Sequence, residues 1–137
     1  MYKLIFIFFF AAIAIADEAV IPAFKSDPTK YSNKNWIKNS TGQKVWVTDE
    51  LLAGDFQDER MKFWVYITGP NYRQCSIAGE AKKLSESTYE YSKDTCRLLI
   101  KFSKNRVILS DDGNTCHENY CGNNAYFDKA EFFRTKK

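Results

Sequence analysis

The chain contains a single histidine, His117, which lies between two cysteines, Cys116 and Cys121. Neutral imidazole and thiolate groups are ligands that zinc prefers, and Cys96 could supply a further ligand. Structural zinc sites usually combine two tight cysteine pairs, however, and this sequence contains only one close pair. We therefore predict no metal site, and we expect His117 to be a loop residue that faces solvent.

Acidic residues form the second group that could do chemistry. Glu50, Asp55, Asp58 and Glu59 lie within ten residues of one another. Two carboxyl groups that flank a sugar can hydrolyse a glycosidic bond. Acids on an exposed turn or helix face are more often simply solvated. A small carbohydrate-active enzyme that uses acids in residues 50–59 is therefore kept as an alternative function.

Other catalytic motifs are absent from the sequence. We find no G-x-S-x-G nucleophile elbow, no H-E-x-x-H zinc motif and no glycine-rich phosphate loop. Residues 111–114 could offer oxygen ligands to calcium, but the glutamate that ends an EF-hand loop is missing, so we predict a β-turn. Without a complete catalytic set, the sequence predicts a binding protein that is not an enzyme and needs no cofactor.

The N-terminus has the form of an export signal. Residues 4–16 are a run of 13 side chains without charge or polarity, whereas a membrane-spanning helix needs about 20 apolar residues. Ala14 and Ala16 form the A-x-A pattern that a signal peptidase cleaves. We therefore predict a signal peptide over residues 1–16, no permanent membrane anchor, and a periplasmic location, with secretion as the alternative.

If the chain is exported, its four cysteines should form disulfides, because thiols outside the cytoplasm are normally oxidised. We expect two disulfides, and four cysteines allow three pairings. Cys75 and Cys96 lie in or beside strand-like segments with a polar turn region between them, so a hairpin could bring them together. Cys116 and Cys121 enclose only four residues. We predict the pairs Cys75–Cys96 and Cys116–Cys121.

Short alternating runs predict an all-β fold. In residues 61–68, for example, Met61, Phe63, Val65 and Ile67 fall on one face of a strand. We predict about seven strands in an antiparallel meander, forming a small barrel or a sandwich. At most one short helix is expected, in residues 49–59. The predicted strands are residues 44–48, 61–68, 73–82, 87–92, 96–102 and 106–110, with closing strands in 125–134.

The segment before these runs has a different composition. Residues 17–43 contain Pro22, Pro28 and many polar side chains, with little periodicity. We predict an extended N-terminal arm over residues 17–43, pinned to the core by Trp36 and Ile37, and a disulfide-stapled β domain over residues 44–137.

Length and charge limit the possible partners. The 137 residues suit one domain, and 45% hydrophobic residues argue against disorder. The net charge of +3 is too small to indicate a nucleic-acid partner, because phosphate binding needs a dense basic face. Several aromatic residues lie in alternating runs, where they either fill the core or face outward as binding rings. These are Trp46, Trp64, Tyr66, Tyr89 and Tyr91.

The region from Cys75 to Arg134 carries a family resemblance. It contains Cys-Ser-Ile-Ala-Gly-Glu-Ala from Cys75, Cys-Arg-Leu-Leu-Ile from Cys96, Tyr-Cys-Gly from Tyr120 and Phe-Phe-Arg ending at Arg134. This layout resembles small exported bacterial β-proteins, the periplasmic inhibitors of C-type lysozyme. The resemblance implies an antiparallel β-barrel with disulfides that blocks a hydrolase by inserting a loop into its acidic cleft.

The chain departs from that family at the inhibitory loop, because residues 76–79 lack the second Ser-Gly pair. The family's inhibitory residues are therefore not transferred to this sequence. Cations and tyrosine suit an acidic, sugar-binding cleft, and on this ground the candidate contacts are Lys82, Lys83, His117, Tyr120 and Arg134. We expect an exported binding protein whose partner is another protein, such as a cell-wall hydrolase that it inhibits or protects against. An envelope structural or stress protein is a further alternative.

Overall fold

The structure is a computed structural model that describes residues 19–136. The predicted signal peptide lies outside the described residues. Within them, the chain forms eight strands in a closed antiparallel barrel, each paired with the next, and β8 closes onto β1. This confirms the predicted all-β meander and selects the barrel. The strands are β1 (Thr29–Lys38), β2 (Lys44–Gln57), β3 (Arg60–Thr68), β4 (Gln74–Ser85), β5 (Thr88–Lys93), β6 (Cys96–Ser103), β7 (Arg106–Ser110) and β8 (Glu131–Arg134).

The barrel interior is filled by the inward side chains of the alternating runs. Met61, Phe63, Val65 and Ile67 are all buried, as the period-two pattern of β3 predicts. Full burial of each such side chain stabilises the fold by roughly 1.5–3 kcal/mol. Phe127, from the loop before β8, joins this core. The packed interior makes the walls and ends of the barrel the surfaces where a partner could bind.

The structure differs from the predicted N-terminal arm. Residues 29–38, inside the predicted arm of residues 17–43, form β1, so the barrel begins before the predicted boundary at Lys44. The apolar alternation of β1 is interrupted by Asn33 and Asn35. Asn33 Nδ2 donates to the Glu131 carbonyl oxygen at 3.0 Å, and Asn35 Nδ2 donates to Asp49 Oδ2 at 2.7 Å. Partners distant in sequence therefore satisfy polar groups that locally suggest a loop.

At most one short helix was expected, which is confirmed, but it does not lie in residues 49–59, because β2 runs through this segment to Gln57. Leu51 and Ala53 alternate inward there and are fully buried. Asp58 and Glu59 then make the turn into β3, with φ angles of 53° and 60°. In the described part of the chain the one α-helix is α1 (His117–Tyr120), a single turn in the loop between β7 and β8.

The number of disulfides is confirmed, but the predicted pairing is wrong. The bridges are Cys75–Cys121 and Cys96–Cys116. Cys75 and Cys96 lie at the starts of β4 and β6, and β5 runs between these two strands. The two cysteines are therefore not neighbours in a hairpin.

The observed pairing fastens the loop that carries α1. Cys116 precedes α1 and is tied to β6, whereas Cys121 follows α1 and is tied to β4. Hydrogen-bonded pairing between β4 and β5 runs from Lys82 to Ser85, so the first half of β4 is splayed from β5. The helix lies against β4 at this opening. Both ends of α1 are thus covalently attached to the barrel, one to β4 beside the gap and the other to β6.

The meander gives the barrel two distinct ends. The β1–β2, β3–β4 and β5–β6 turns and the long β7–β8 loop lie at one end, which we call the loop end. The β2–β3, β4–β5 and β6–β7 turns lie at the opposite end. Both disulfides are at the loop end. No helix among residues 19–136 is long and apolar enough to cross a membrane.

Residues 19–28, which we call the N-terminal strap, cross the outer wall of the barrel. Trp64 Nε1 donates to the Ala19 carbonyl oxygen at 2.8 Å. At the other end of the strap, the Asp55 carboxylate accepts the N–H of Lys25 at 2.9 Å. The strap covers Trp64, which is 6% exposed although it faces away from the barrel interior.

Candidate functional site

The structure divides the predicted contact residues between the two ends of the barrel. His117 and Tyr120 belong to α1 at the loop end. Lys82 and Lys83 lie late in β4, and Arg134 ends β8, all toward the opposite end. The backbone N–H of Lys83 donates to the β2–β3 turn, and that of Arg134 donates to the β6–β7 turn. The five residues therefore do not form one surface.

His117 is half-buried and fixed in orientation, unlike the solvent-facing loop residue that was predicted. Its Nδ1 lies 2.7 Å from the Ala125 carbonyl oxygen. A carbonyl oxygen can only accept, so Nδ1 carries the proton. The imidazole also stacks on Tyr126, with ring centroids 4.5 Å apart and planes at 18°. These contacts hold Tyr126, whose side chain is 46% exposed, in a defined position.

Tyr120 faces the barrel and helps to seat α1. Its hydroxyl group lies 3.1 Å from that of Tyr91, a buried residue of β5. Burial, followed by the hydrogen bond to Tyr120, raises the pKa of Tyr91 above the usual tyrosine range. The pair packs edge to face, with ring centroids 6.3 Å apart. Tyr120 therefore positions the loop, and its side chain is partly buried against the core.

The β3–β4 turn provides two exposed residues that the sequence analysis did not select. Asn71 and Tyr72 both have left-handed backbone angles, with φ of 56° and 57°. Such angles are costly for a side chain as large as tyrosine and are often found at functional sites. Tyr72 is 52% exposed, and the exposed Arg73 follows it. The run Gly-Pro-Asn from Gly69 predicted a turn, but nothing local predicted this conformation.

Close packing joins this turn to the β7–β8 loop. A Cβ atom added at Gly69 would lie 2.9 Å from the Ala125 Cβ, so the two backbones approach more closely than a side chain at position 69 would permit. The side chain of Arg73 lies over Gly122, where an added Cβ would lie 3.2 Å from the Arg73 Cβ. Glycines at these two contacts thus let the turn and the loop form one continuous surface.

We define the binding face as Tyr72, Arg73, His117 and Tyr126. It combines exposed tyrosine rings, a guanidinium group and an imidazole whose proton is positioned. Tyrosine and arginine are the residues that dominate the energetics of many protein interfaces. The two disulfides, the Gly69–Ala125 contact and the His117–Tyr126 stack restrict its movement. The face is therefore suited to binding a partner without a large loss of conformational entropy.

Two of the four acids in residues 50–59, Glu50 and Asp55, have structural partners, whereas Asp58 and Glu59 form the β2–β3 turn. Glu50 forms an ion pair with Lys30 at 3.0 Å. Asp55 fastens the N-terminal strap and contacts Lys62 Nζ at 3.5 Å. The N–H group of Lys25, more than any other group, holds the pKa of Asp55 below its usual value. A general acid for glycoside hydrolysis needs the opposite shift. The contacts of Asp55 thus suit attachment of the N-terminal strap better than donation of a proton to a substrate.

The sulfur atoms considered for zinc binding are all engaged in disulfides. Cys96, Cys116 and Cys121 therefore offer no thiolate to a metal ion. Among residues 19–136, no three His, Cys, Asp or Glu side chains lie close enough together to hold a metal ion.

No protein-family model, curated protein or solved structure matches this chain. These comparisons therefore neither support nor contradict the resemblance of residues 75–134 to periplasmic lysozyme inhibitors.

Proposed function

We propose that this chain is an exported binding protein of the periplasm whose binding face blocks a cell-wall hydrolase of the lysozyme class. The main support for the proposal is an exposed aromatic surface at one end of a packed barrel, next to a loop that two disulfides hold in place. Two disulfides are typical of proteins that fold outside the reducing cytoplasm. Their position fits a role in which the loop end must keep its shape.

The chemistry of the face fits the cleft of a glycoside hydrolase. Such a cleft contains a pair of carboxyl groups and binds sugar rings. The guanidinium of Arg73 can donate two parallel hydrogen bonds to a carboxylate. Tyr72 and Tyr126 offer flat rings with a polar tip, which suit surfaces that normally hold a sugar. A fixed surface of this kind would occupy the cleft and exclude the substrate.

Inhibition and binding assays test the proposal. The oxidised protein should bind at least one member of a panel of muramidases and peptidoglycan amidases, and should slow the clearing of a cell-wall suspension by that enzyme. The variant Tyr72→Ala/Tyr126→Ala should bind at least about 100-fold more weakly, because two hot-spot rings are removed. Both rings are solvent-exposed, so the barrel should remain folded, which circular dichroism would check.

The matched control uses the predicted contacts at the opposite end of the barrel. The variant Lys82→Ala/Lys83→Ala/Arg134→Ala should inhibit as well as the unmodified protein. If it loses inhibition while the tyrosine variant retains it, the binding face is misplaced. If the protein binds no enzyme in the panel, the proposed function is wrong.

A further inference from the structure

The β1–β2 hairpin continues beyond its pairing with β3 and β8 as a two-stranded ribbon, and β1 also contacts the β3–β4 turn. Residues 33–38 of β1 pair with residues 44–49 of β2, and within the described residues neither stretch is paired with a third strand. The turn between them is ordered by Asn39, whose side-chain Oδ1 accepts the N–H groups of Thr41 and Gln43 at 3.0 and 2.9 Å. We call residues 33–49 the ribbon.

The outer side of the ribbon displays two tryptophans. Trp36 and Trp46 are direct partners across the two strands, so their side chains lie next to each other on the same side. They are 46% and 69% exposed. Lys44 Nζ lies 3.9 Å from the centre of the Trp36 ring, a cation–π contact. Alternation places buried Ile37 on the other side of the ribbon, toward the barrel.

Lysines surround this tryptophan pair. Lys38 lies directly opposite Lys44, and Lys34 is on the same side, two residue pairs from the tryptophans. Like charges directly opposite in a sheet are unfavourable for folding. In the part of the chain that the structure describes, none of these three lysines forms an ion pair, and the nearby Glu50 is already paired with Lys30. The outer side of the ribbon thus carries three lysines that no ion pair engages.

The same wall continues toward the opposite end of the barrel. Phe133 of β8 is the cross-strand partner of Ser32 and is 47% exposed. Beside it lies an open surface groove of about 720 Å³, whose charged lining residues are Lys30, Arg134 and Lys136, with Asp27 as the one acid. Exposed aromatic rings and basic side chains therefore extend along the β1 wall from the ribbon to the C-terminal end of β8.

We propose that this wall docks the protein on the surface of an anionic phospholipid bilayer. Indole rings prefer the headgroup level of a membrane, where one edge is wet and the other is apolar. Lysines near the surface are attracted to anionic headgroups. Lysine is depleted in the cores of protein interfaces, so three lysines around the exposed rings favour a lipid surface over a protein partner. Phe133 has no polar group, and it also suits the boundary with the acyl chains.

This inference goes beyond the proposed function and does not depend on it. The binding face contains none of the residues of this β1 wall. The protein would lie on the membrane by the β1 wall while the β3–β4 turn and the β7–β8 loop remain available. Vesicle binding is measured without any hydrolase, so failure of one proposal leaves the other standing.

Vesicle sedimentation tests the docking. The protein should sediment with vesicles made of equal parts phosphatidylglycerol and phosphatidylcholine, and should stay in solution with phosphatidylcholine alone. Binding should fall sharply in about 0.5 M NaCl, where charges are screened within a few ångströms. The variant Lys34→Gln/Lys38→Gln/Lys44→Gln should bind roughly 100-fold more weakly, from the contribution typical of a lysine near an anionic membrane.

A charge-matched variant controls for net charge. The variant Lys93→Gln/Lys101→Gln/Lys104→Gln removes three exposed lysines from β5, β6 and the β6–β7 turn, and should bind almost as well as the unmodified protein. An equal loss of vesicle binding in both variants would contradict docking by the β1 wall. Failure to sediment with phosphatidylglycerol vesicles would contradict it as well. Binding of the ribbon to a soluble acidic polysaccharide without vesicle binding would also overturn it.

Quenching of tryptophan fluorescence provides a second test. Lipids brominated near the headgroup quench tryptophans that enter the interface. Trp36 and Trp46 should be quenched, whereas Trp64, which the strap covers, should retain its emission. The variant Trp36→Ala/Trp46→Ala should then lose most of the quenching signal, while Leu84→Ala, at an exposed apolar residue of β4, should leave it unchanged. Quenching that persists without Trp36 and Trp46 would contradict the proposed orientation.

Discussion

Asn35 and Asp49 are joined on the inner side of the ribbon, where Asn35 Nδ2 donates to Asp49 Oδ2 at 2.7 Å. The other oxygen of Asp49 accepts the N–H of Thr68 at 2.8 Å. One carboxylate thus connects β1, β2 and β3 at the point where the ribbon leaves the barrel. This connection fixes which side of the ribbon faces inward, and so which side displays Trp36 and Trp46.

Removal of this carboxylate should destabilise the protein. In Asp49→Ala, the Thr68 N–H and the Asn35 amide lose their acceptor in a buried place. We expect the free energy of unfolding to fall by about 1–3 kcal/mol, measured by denaturant titration. Glu50→Ala is the control, because it removes an ion pair that is partly exposed and worth at most about 1 kcal/mol. An equal loss in the two variants would show that Asp49 has no special role.

Asp49 should also give the stability a pH dependence of known sign. Burial raises its pKa above the ordinary value of 3.8, against the effect of its two hydrogen bonds. Between the ordinary and the raised pKa, the folded state binds more protons than the unfolded state, so the contribution of Asp49 to stability falls as the pH rises. Asp49→Asn should therefore gain stability relative to the unmodified protein as the pH rises above 3.8. A difference that does not change with pH would contradict this assignment.

Asp55 should control the attachment of the N-terminal strap. Its pKa is lowered, chiefly by the N–H group of Lys25. The stabilisation is therefore present above the ordinary carboxyl pKa and is lost as the pH falls through the lowered value. Asp55→Ala should release the strap at neutral pH and shift the emission of Trp64 to longer wavelength. Asp27→Ala, at an exposed acid on the same strap, should leave the spectrum unchanged.

Gly79 should be intolerant of a side chain because of Tyr91. A Cβ atom at position 79 would lie 2.7 Å from Cε2 of the tyrosine ring. We expect Gly79→Ala to lower stability by about 1–3 kcal/mol through overpacking. Tyr91→Leu makes space beside position 79, so the alanine should cost less in that background. A double-mutant cycle measures this coupling, and strictly additive effects would exclude the contact as the cause.

The two disulfides should differ in their contribution to stability. A non-reducing peptide map should show Cys75 joined to Cys121 and Cys96 joined to Cys116. Because the bridges close loops with sequence separations of 46 and 20, their removal by paired Cys→Ala substitutions should cost about 4 and about 3 kcal/mol on the chain-entropy account. A peptide that links Cys75 to Cys96 would contradict the fold of the loop end.

Local pattern was sufficient to predict the strands whose inward positions are all apolar. β3 alternates through Met61, Phe63, Val65 and Ile67, and this spacing does not fit the period of a helix. β1 was missed because Asn33 and Asn35 take inward positions and find hydrogen-bond partners distant in sequence. The alternation of apolar residues cannot reveal a strand whose inward polar side chains are hydrogen-bonded to residues distant in sequence.

The candidate site was less predictable for the same physical reason. His117 was selected for its chemistry, but its stack on Tyr126 depends on how the β7–β8 loop folds back. Tyr72 and Arg73 became candidates only when the β3–β4 turn was seen against that loop. The disulfide pairing likewise depends on α1 crossing from β6 to β4, a relationship between segments that no local spacing encodes.

The nested arrangement of the bridges has a consequence for biosynthesis. If the chain is oxidised while it emerges N-terminus first, Cys96 is the first cysteine available to Cys75. The resulting Cys75–Cys96 bridge is non-native. Native protein then forms only after thiol–disulfide exchange through mixed intermediates, or when oxidation waits until Cys116 and Cys121 have also emerged. Production of this barrel therefore requires either an isomerase that reshuffles early crosslinks or an oxidant slow enough to let the strands assemble first.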